Sequence, residues 1–185
     1  ADSNPAREAL QRELAPKLSA HSSEITMNRP LFRRIATLHD AADRLEITPE
    51  QARVLDLYHR MFIRAGAELD GAPADRLRAV KERLAVLGTE FSQHVLAEER
   101  DWSMDLSPAD LDGLPEFLVE GLAAAATERG RTGHVLTLNR SLIVPFLQFC
   151  PRRDLREKAY AAWTARGANA NDHDTRAIVA ETLEI

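Results

Sequence analysis

Three side chains able to bind a divalent metal follow one another at intervals of four residues in the middle of the chain. Glu90, His94 and Glu98 would share one face of a continuous helix. Carboxylate and imidazole groups at this spacing can hold a divalent cation. A tight site needs further ligands, however, and the solvent side of a long helix produces the same spacing. We therefore favour a solvated helix face over a metal site.

A second group of polar side chains lies near the end of the chain, in the run Asn171-Asp172-His173-Asp174. It offers oxygen and nitrogen ligands but does not have the spacing of a calcium-binding loop. Aspartate is favoured just before a helix, where its carboxylate accepts hydrogen bonds from backbone N–H groups. The sequence therefore favours Asp174 as the cap of a final helix.

The single cysteine, Cys150, follows an apolar stretch and precedes Pro151. No histidine lies near it in the sequence to activate the thiol, so a buried, inert side chain is predicted. One cysteine cannot form an internal disulfide, and the first residues do not have the order of a signal peptide. These features predict a reducing, cytoplasmic location.

No catalytic motif occurs in the sequence. A search for His-Glu-x-x-His, for phosphate-binding glycine loops and for Gly-x-Ser-x-Gly finds none of them. The 24 basic and 29 acidic residues give a net charge of −5, which argues against nucleic acid as a partner. An apolar run long enough to cross a membrane is also absent from the sequence.

Helical periodicity dominates the chain. Asn28 and Thr48 are typical caps for two helices, the second of which is predicted to end at Gly71, and a long helix follows over 74–99. Alternating residues predict short strands at 102–106 and 133–138. The stretch 142–149 fits either a lead into the second strand or a short apolar helix.

The predicted fold class is mainly α, a multi-helix bundle with one long helix and a small two-stranded β element. We interpret 1–185 as one helical region, with a possible subdivision into a helical bundle over 1–100 and mixed helix and short strands over 101–185. The chain begins and stops abruptly in mid-pattern, which suggests a piece of a longer protein, truncated at both ends.

Several strings along the chain carry a family likeness through their order and spacing. They are Ala15-Pro16-Lys17-Leu18, Asn28-Arg29-Pro30-Leu31-Phe32, Phe62-Ile63-Arg64-Ala65-Gly66-Ala67, Leu84-Ala85-Val86-Leu87-Gly88-Thr89-Glu90-Phe91, Leu111-Asp112-Gly113-Leu114-Pro115, Thr137-Leu138-Asn139-Arg140 and Arg152-Arg153-Asp154-Leu155-Arg156-Glu157-Lys158. Together they resemble the peptidyl-dipeptidase (carboxy-dipeptidase) branch of the thimet oligopeptidase and neurolysin family, from about Ala9 to Ile185.

The resemblance implies a zinc metallopeptidase that trims short peptides, with two mainly helical lobes flanking a deep channel. This chain resembles the N-terminal lobe, which walls the channel. The family's zinc ligands are the two histidines of His-Glu-x-x-His and a later glutamate, and none of them lies in this chain. The resemblance therefore implies zinc in the parent protein but no catalytic or metal residue here.

The leading hypothesis is a non-catalytic lobe fragment of a cytoplasmic zinc peptidase, whose partners are the remainder of its own polypeptide and short peptides. Dipeptide release and internal cleavage both stay open for the parent. Arg166, Asn169 and Asn171 are the candidate substrate-channel residues, because polar groups after a helix end could contact a peptide backbone. The simpler alternative is that they only cap and solvate. For the chain as a whole, the alternative is a stand-alone helical module that binds a peptide or protein without cleaving it.

Overall fold

The computed structural model describes residues 3–185, so the first two residues of the predicted helical region lie outside it. Within that range it has eight α-helices and two strands. The helices are α1 (Pro5–Thr26), α2 (Arg29–Asp40), α3 (Pro49–Ala65), α4 (Gly71–Asp101), α5 (Glu116–Glu128), α6 (Arg140–Phe149), α7 (Arg153–Thr164) and α8 (Arg176–Glu184), and the strands are β1 (Ser103–Leu106) and β2 (His134–Thr137). The predicted mainly-α class with one long helix and a two-stranded element is confirmed.

The described residues form two compact units. One runs up to Glu90 and includes Ile185, and the other covers residues 91–184. The break falls inside α4, so the long helix contributes to both units.

Local capping starts the helices of the first unit as the sequence predicts. The side-chain oxygen of Asn28 accepts the backbone N–H of Leu31 at 2.9 Å at the start of α2. Thr48 and Gln51 form a reciprocal capping box at the start of α3. Between α2 and α3 the buried rings of Phe32 and Phe62 are stacked, with centroids 6.4 Å apart.

The predicted end of α3 at Gly71 is wrong. The helix closes at Gly66, whose φ of 96° lies in the left-handed region, and the N–H of Ala67 then donates to the carbonyl of Phe62. Gly71 also has a positive φ, but it begins α4 instead. The sequence therefore predicts correctly that a glycine closes α3, but the glycine that does so is Gly66.

The second unit is built around a small antiparallel sheet and the helices that cover it. In the register of β1 and β2, Ser103 lies opposite Thr137 and Leu106 lies opposite His134. The largest buried core comes from β2, α5 and α6, with smaller parts from β1 and α7. Its fully buried large side chains are Leu118, Leu122, Leu136, Leu138, Ile143 and Phe146.

The stretch with two open interpretations is a helix. Asn139 caps α6 by accepting the N–H of Ser141 at 3.0 Å, and the helix contains Pro145. Among the residues described, 3–185, the helices are too short or too polar to span a lipid bilayer.

Candidate functional site

The carboxylate of Glu98 is the centre of the polar structure in the second unit. Glu98 lies near the end of α4 and is only 6% exposed. Its oxygens accept the backbone N–H of Gly167 and the side-chain amides of Asn169, at 3.1 Å to each oxygen, and Asn171, at 2.8 Å. A buried carboxylate about seventy residues earlier in the sequence therefore organises the loop between α7 and α8.

The hydrogen bonds keep this buried carboxylate ionised. Burial raises the pKa of Glu98, but the bonds from Gly167, Asn169 and Asn171, together with the electrostatic effect of His173, lower it further, so the net pKa lies below the usual range of glutamate. The donors in direct contact are all neutral, so the site keeps the negative charge of the carboxylate.

The backbone of the loop is fixed by a glycine and a threonine. Gly167 has a φ of 76°, and its carbonyl accepts both the N–H of Thr175, at 2.7 Å, and the Thr175 hydroxyl, at 2.9 Å. The Cβ of any other residue at position 167 would lie 2.6 Å from the Thr175 hydroxyl oxygen. This close approach requires glycine.

Arg166 is held beside the loop by three contacts with two residues. Its guanidinium pairs with the carboxylate of Glu99 and lies 3.6 Å from the ring centroid of Trp163. Its Nε also donates to the Trp163 carbonyl at 2.9 Å. A carboxylate and an indole together thus bind a guanidinium in this unit.

His173 connects the loop to the end of α4. Its ring Nε2 lies 3.6 Å from a carboxylate oxygen of Asp101. The backbone N–H of His173 donates to the side-chain oxygen of Asn171 at 2.8 Å. Its ring meets that of His94 edge-on, with centroids 5.9 Å apart, and the buried Nδ1 of His94 finds no hydrogen-bond partner among the described residues.

A cleft of about 460 Å³ opens where these groups meet. Its polar wall consists of Glu98, Asp101, Asn169, Asn171 and His173. Its apolar wall consists of Trp102, Leu138, Ala161 and Ala162 of α7, and Ala165, which follows α7 directly. The cleft combines hydrogen-bonding amides, carboxylates and an apolar floor, which is the usual composition of a small-ligand site.

The structure brings together two of the three predicted channel residues. Asn169 and Asn171 line the cleft, whereas Arg166 is engaged with Glu99 and Trp163 outside the lining. Their contact with a peptide stays a prediction. Sequence reasoning missed Glu98 as the common partner of the two asparagines. The expectation that Glu98 lies on a solvated helix face is wrong, because a loop that comes much later in the chain buries it.

The predicted helix cap and the predicted inert thiol are both found. A carboxylate oxygen of Asp174 accepts the N–H of Arg176, the first residue of α8, at 2.9 Å. Cys150 is buried and free, and burial raises the pKa of its thiol. A protonated thiol is a poor nucleophile, so Cys150 belongs to the core.

The described residues do not fit a zinc site. Across residues 3–185, the structure contains no group of three or more His, Cys, Asp or Glu side chains placed to hold a metal. The oxygens of Glu98 are taken by amide donors, so Glu90, His94 and Glu98 do not form a ligand set. We therefore derive no metal-dependent step from this chain.

Comparison with known proteins finds relatives that match this chain along its full length. A dipeptidyl carboxypeptidase of Salmonella typhimurium is 30% identical over 187 residues, covering 100% of this chain and 28% of that protein. An oligopeptidase A of Escherichia coli is 28% identical over 184 residues, covering 97% of this chain and 27% of that protein. A probable cytosolic oligopeptidase A of Arabidopsis thaliana is 22% identical over 189 residues, covering 98% of this chain and 27% of that protein.

These relatives are much longer than the chain, which spans less than a third of their length. No family model matches the sequence.

Proposed function

We propose that this region is the non-catalytic N-terminal lobe of a peptidase acting on short peptides. The resemblance to the thimet oligopeptidase family suggests this role, and the matches to a dipeptidyl carboxypeptidase and to an oligopeptidase A along the whole chain support it. The observation that carries the proposal is the full-length match to peptidases that are more than three times longer.

The cleft beside Glu98 is the part of the lobe that we propose to face the substrate channel. Asn169 and Asn171 line it with side-chain amides, each of which has two N–H donors and an oxygen with two lone pairs. The bonds to Glu98 and His173 use part of this capacity, and the rest can serve a peptide backbone. Glu98 fixes both amides in place, so their orientation is set before a peptide arrives. Arg166 supports the same loop from outside the cleft through its pair with Glu99.

The remainder of the polypeptide is the proposed partner of the lobe. Helix α1 supports this, because Leu10, Leu14, Leu18 and Ile25 are all exposed although their spacing places them near one face of the helix. A surface of this kind on a single chain marks an interaction site.

The zinc of the parent peptidase would be bound by residues outside this chain. The proposal also includes a cytoplasmic location, which the name of the Arabidopsis relative and the single buried cysteine support. One helical region over 1–185 remains part of the same proposal.

The test is to incubate the purified chain with blocked, unstructured tripeptides, with and without added zinc, and to follow both cleavage and the NMR spectrum. We expect no cleavage under either condition, and we expect shifts of the Asn169 and Asn171 side-chain amides on peptide addition. Cleavage by the chain would contradict the non-catalytic role. Binding that leaves those amides unshifted would contradict the placement of the channel surface.

A further inference from the structure

We propose that the cleft beside Glu98 is a subsite for a basic side chain, arginine or lysine, of a bound peptide. This inference rests on the proposed peptide-handling role and adds the chemistry that the cleft selects.

The negative charge at the cleft is balanced weakly. Within residues 3–185 no cation contacts the Glu98 carboxylate directly, since its partners are a backbone N–H and two side-chain amides. The contacts of Asp101 with Arg100, at 3.5 Å, and with His173, at 3.6 Å, are longer than the roughly 2.7 to 2.9 Å of a strong charge-assisted hydrogen bond. The Asp101 carboxylate, whose side chain is 60% exposed, can therefore accept a closer cation from solvent.

The rest of the lining suits a cation on an alkyl stem. Trp102 supplies an indole, whose ring face attracts ammonium and guanidinium groups. Leu138 and the three alanines at and just after the end of α7 supply an apolar floor against which methylene groups can pack. Small anions and acidic side chains would meet two carboxylates in the same cleft.

The neighbouring Arg166 shows the same combination with its cation in place. Its guanidinium is bound by the carboxylate of Glu99 and lies over the ring of Trp163. At the cleft, Asp101 supplies a carboxylate as Glu99 does for Arg166, and Trp102 supplies an indole as Trp163 does. In both cases the carboxylate comes from the end of α4 and the aromatic ring is a tryptophan.

Long-range electrostatics favour the same ligand. The charges of the first unit cancel, so the whole net charge of −5 falls within residues 91–184. A negative field around a negatively lined cleft raises the local concentration of cations and weakens with added salt.

The experiment compares blocked tripeptides in NMR titrations of the 185-residue chain, read at the Trp102 indole N–H and the Asn169 and Asn171 amides. Acetyl-Ala-Arg-Ala-amide is the probe, and acetyl-Ala-citrulline-Ala-amide is its neutral isostere. We expect the arginine peptide to bind about tenfold more tightly at low salt, which is the size of one favourable cation–π and charge contact. Ala-Ala-Ala-amide, with a free amino terminus, distinguishes a terminal ammonium from a side-chain cation.

Matched variants locate the effect. Asp101→Asn should reduce the affinity for the arginine peptide to that for the citrulline peptide. Asp172→Asn removes the same charge from the loop between α7 and α8, outside the lining, and should leave the preference intact. The side chain of Asp101 is largely exposed, so its amide variant should fold, and equal melting temperatures check this.

The outcomes separate this inference from the proposed function. Equal binding of the arginine and citrulline peptides at the cleft would overturn the basic subsite and leave the peptide-contacting lobe standing. Tighter binding of Ala-Ala-Ala-amide would overturn it in favour of a terminal ammonium site. Absence of any shift at the cleft with all three peptides would contradict the peptide-contacting surface itself.

Discussion

At the scale of single residues, Glu98 decides the structure of the candidate site. A carboxylate that is buried and ionised is stable only while its donors remain, and here all its direct donors come from the loop after α7. Glutamine at this position keeps the shape of the side chain but replaces one carboxylate oxygen by an NH2 group, which would face the N–H donors of the loop.

We predict that Glu98→Gln lowers the free energy of unfolding of the second unit by about 2 kcal/mol, the usual size for hydrogen bonds to a buried charge. Trp102 and Trp163, the two tryptophans of the chain, both lie in that unit, so urea unfolding followed by fluorescence reports it directly. Glu99→Gln is the matched control, and breaking its partly exposed pair with Arg166 should cost less than about 1 kcal/mol. Equal losses in both variants would contradict the role of Glu98.

Glu98 should also make the stability of the second unit depend on pH. Because the pKa of Glu98 is lower in the folded chain than in the unfolded chain, its stabilisation is fully present above the ordinary pKa of glutamate, about 4.3, and is lost as pH falls through the lowered value. The stability difference between the natural chain and Glu98→Gln should therefore shrink as the pH falls below about 4. A difference that stays constant down to acid pH would show that Glu98 stabilises by shape alone.

At the scale of elements, the turn that ends α7 depends on one glycine. Gly167→Ala places a Cβ at 2.6 Å from the Thr175 hydroxyl oxygen, whereas Gly130, with a φ of 66°, has open space around the same position. Both alanine variants carry the left-handed penalty of about 1 kcal/mol. We predict that Gly167→Ala costs about 1 to 3 kcal/mol more than Gly130→Ala in urea unfolding, because only the former is also overpacked. Equal costs would contradict the tight contact with Thr175.

The elements also show how far sequence reasoning reaches. The caps at Asn28 and Thr48, the two short strands and the long helix were predictable because each depends on residues within a few positions of one another. The closure at Gly66 was missed because two glycines follow the same apolar pattern and only packing distinguishes them.

The site was predictable only in part, for the same reason. Asn169 and Asn171 could be identified from their types and position after a helix, but their common partner Glu98 lies 71 and 73 residues away in the sequence. On α4 its spacing with Glu90 and His94 matches an exposed face, and only the fold shows that it is buried. A buried carboxylate of this kind has no local signal.

At the scale of the whole molecule, the proposed lobe should reveal a surface that another part of the polypeptide covers. Leu10, Leu14 and Leu18 of α1 are exposed by 52%, 38% and 63%. We predict that the isolated chain binds a hydrophobic dye and self-associates with rising concentration in sedimentation experiments, because exposed apolar faces pair when their partner is absent. The double variant Leu14→Gln and Leu18→Gln should weaken both effects.

Leu183→Gln is the control for this prediction, since Leu183 is 83% exposed on α8 and lies away from the α1 face in the sequence. It should leave dye binding and association nearly unchanged. A monomer at all concentrations that binds no dye would favour a self-sufficient binding module over a lobe.

The nucleotide sequence of the gene downstream of the codon for Ile185 tests most directly whether the chain is the non-catalytic lobe of a longer peptidase. We predict that the reading frame continues and encodes a His-Glu-x-x-His motif with a later glutamate, a motif that residues 1–185 do not contain. A stop codon directly after Ile185 would contradict the non-catalytic lobe and leave a stand-alone peptide- or protein-binding module.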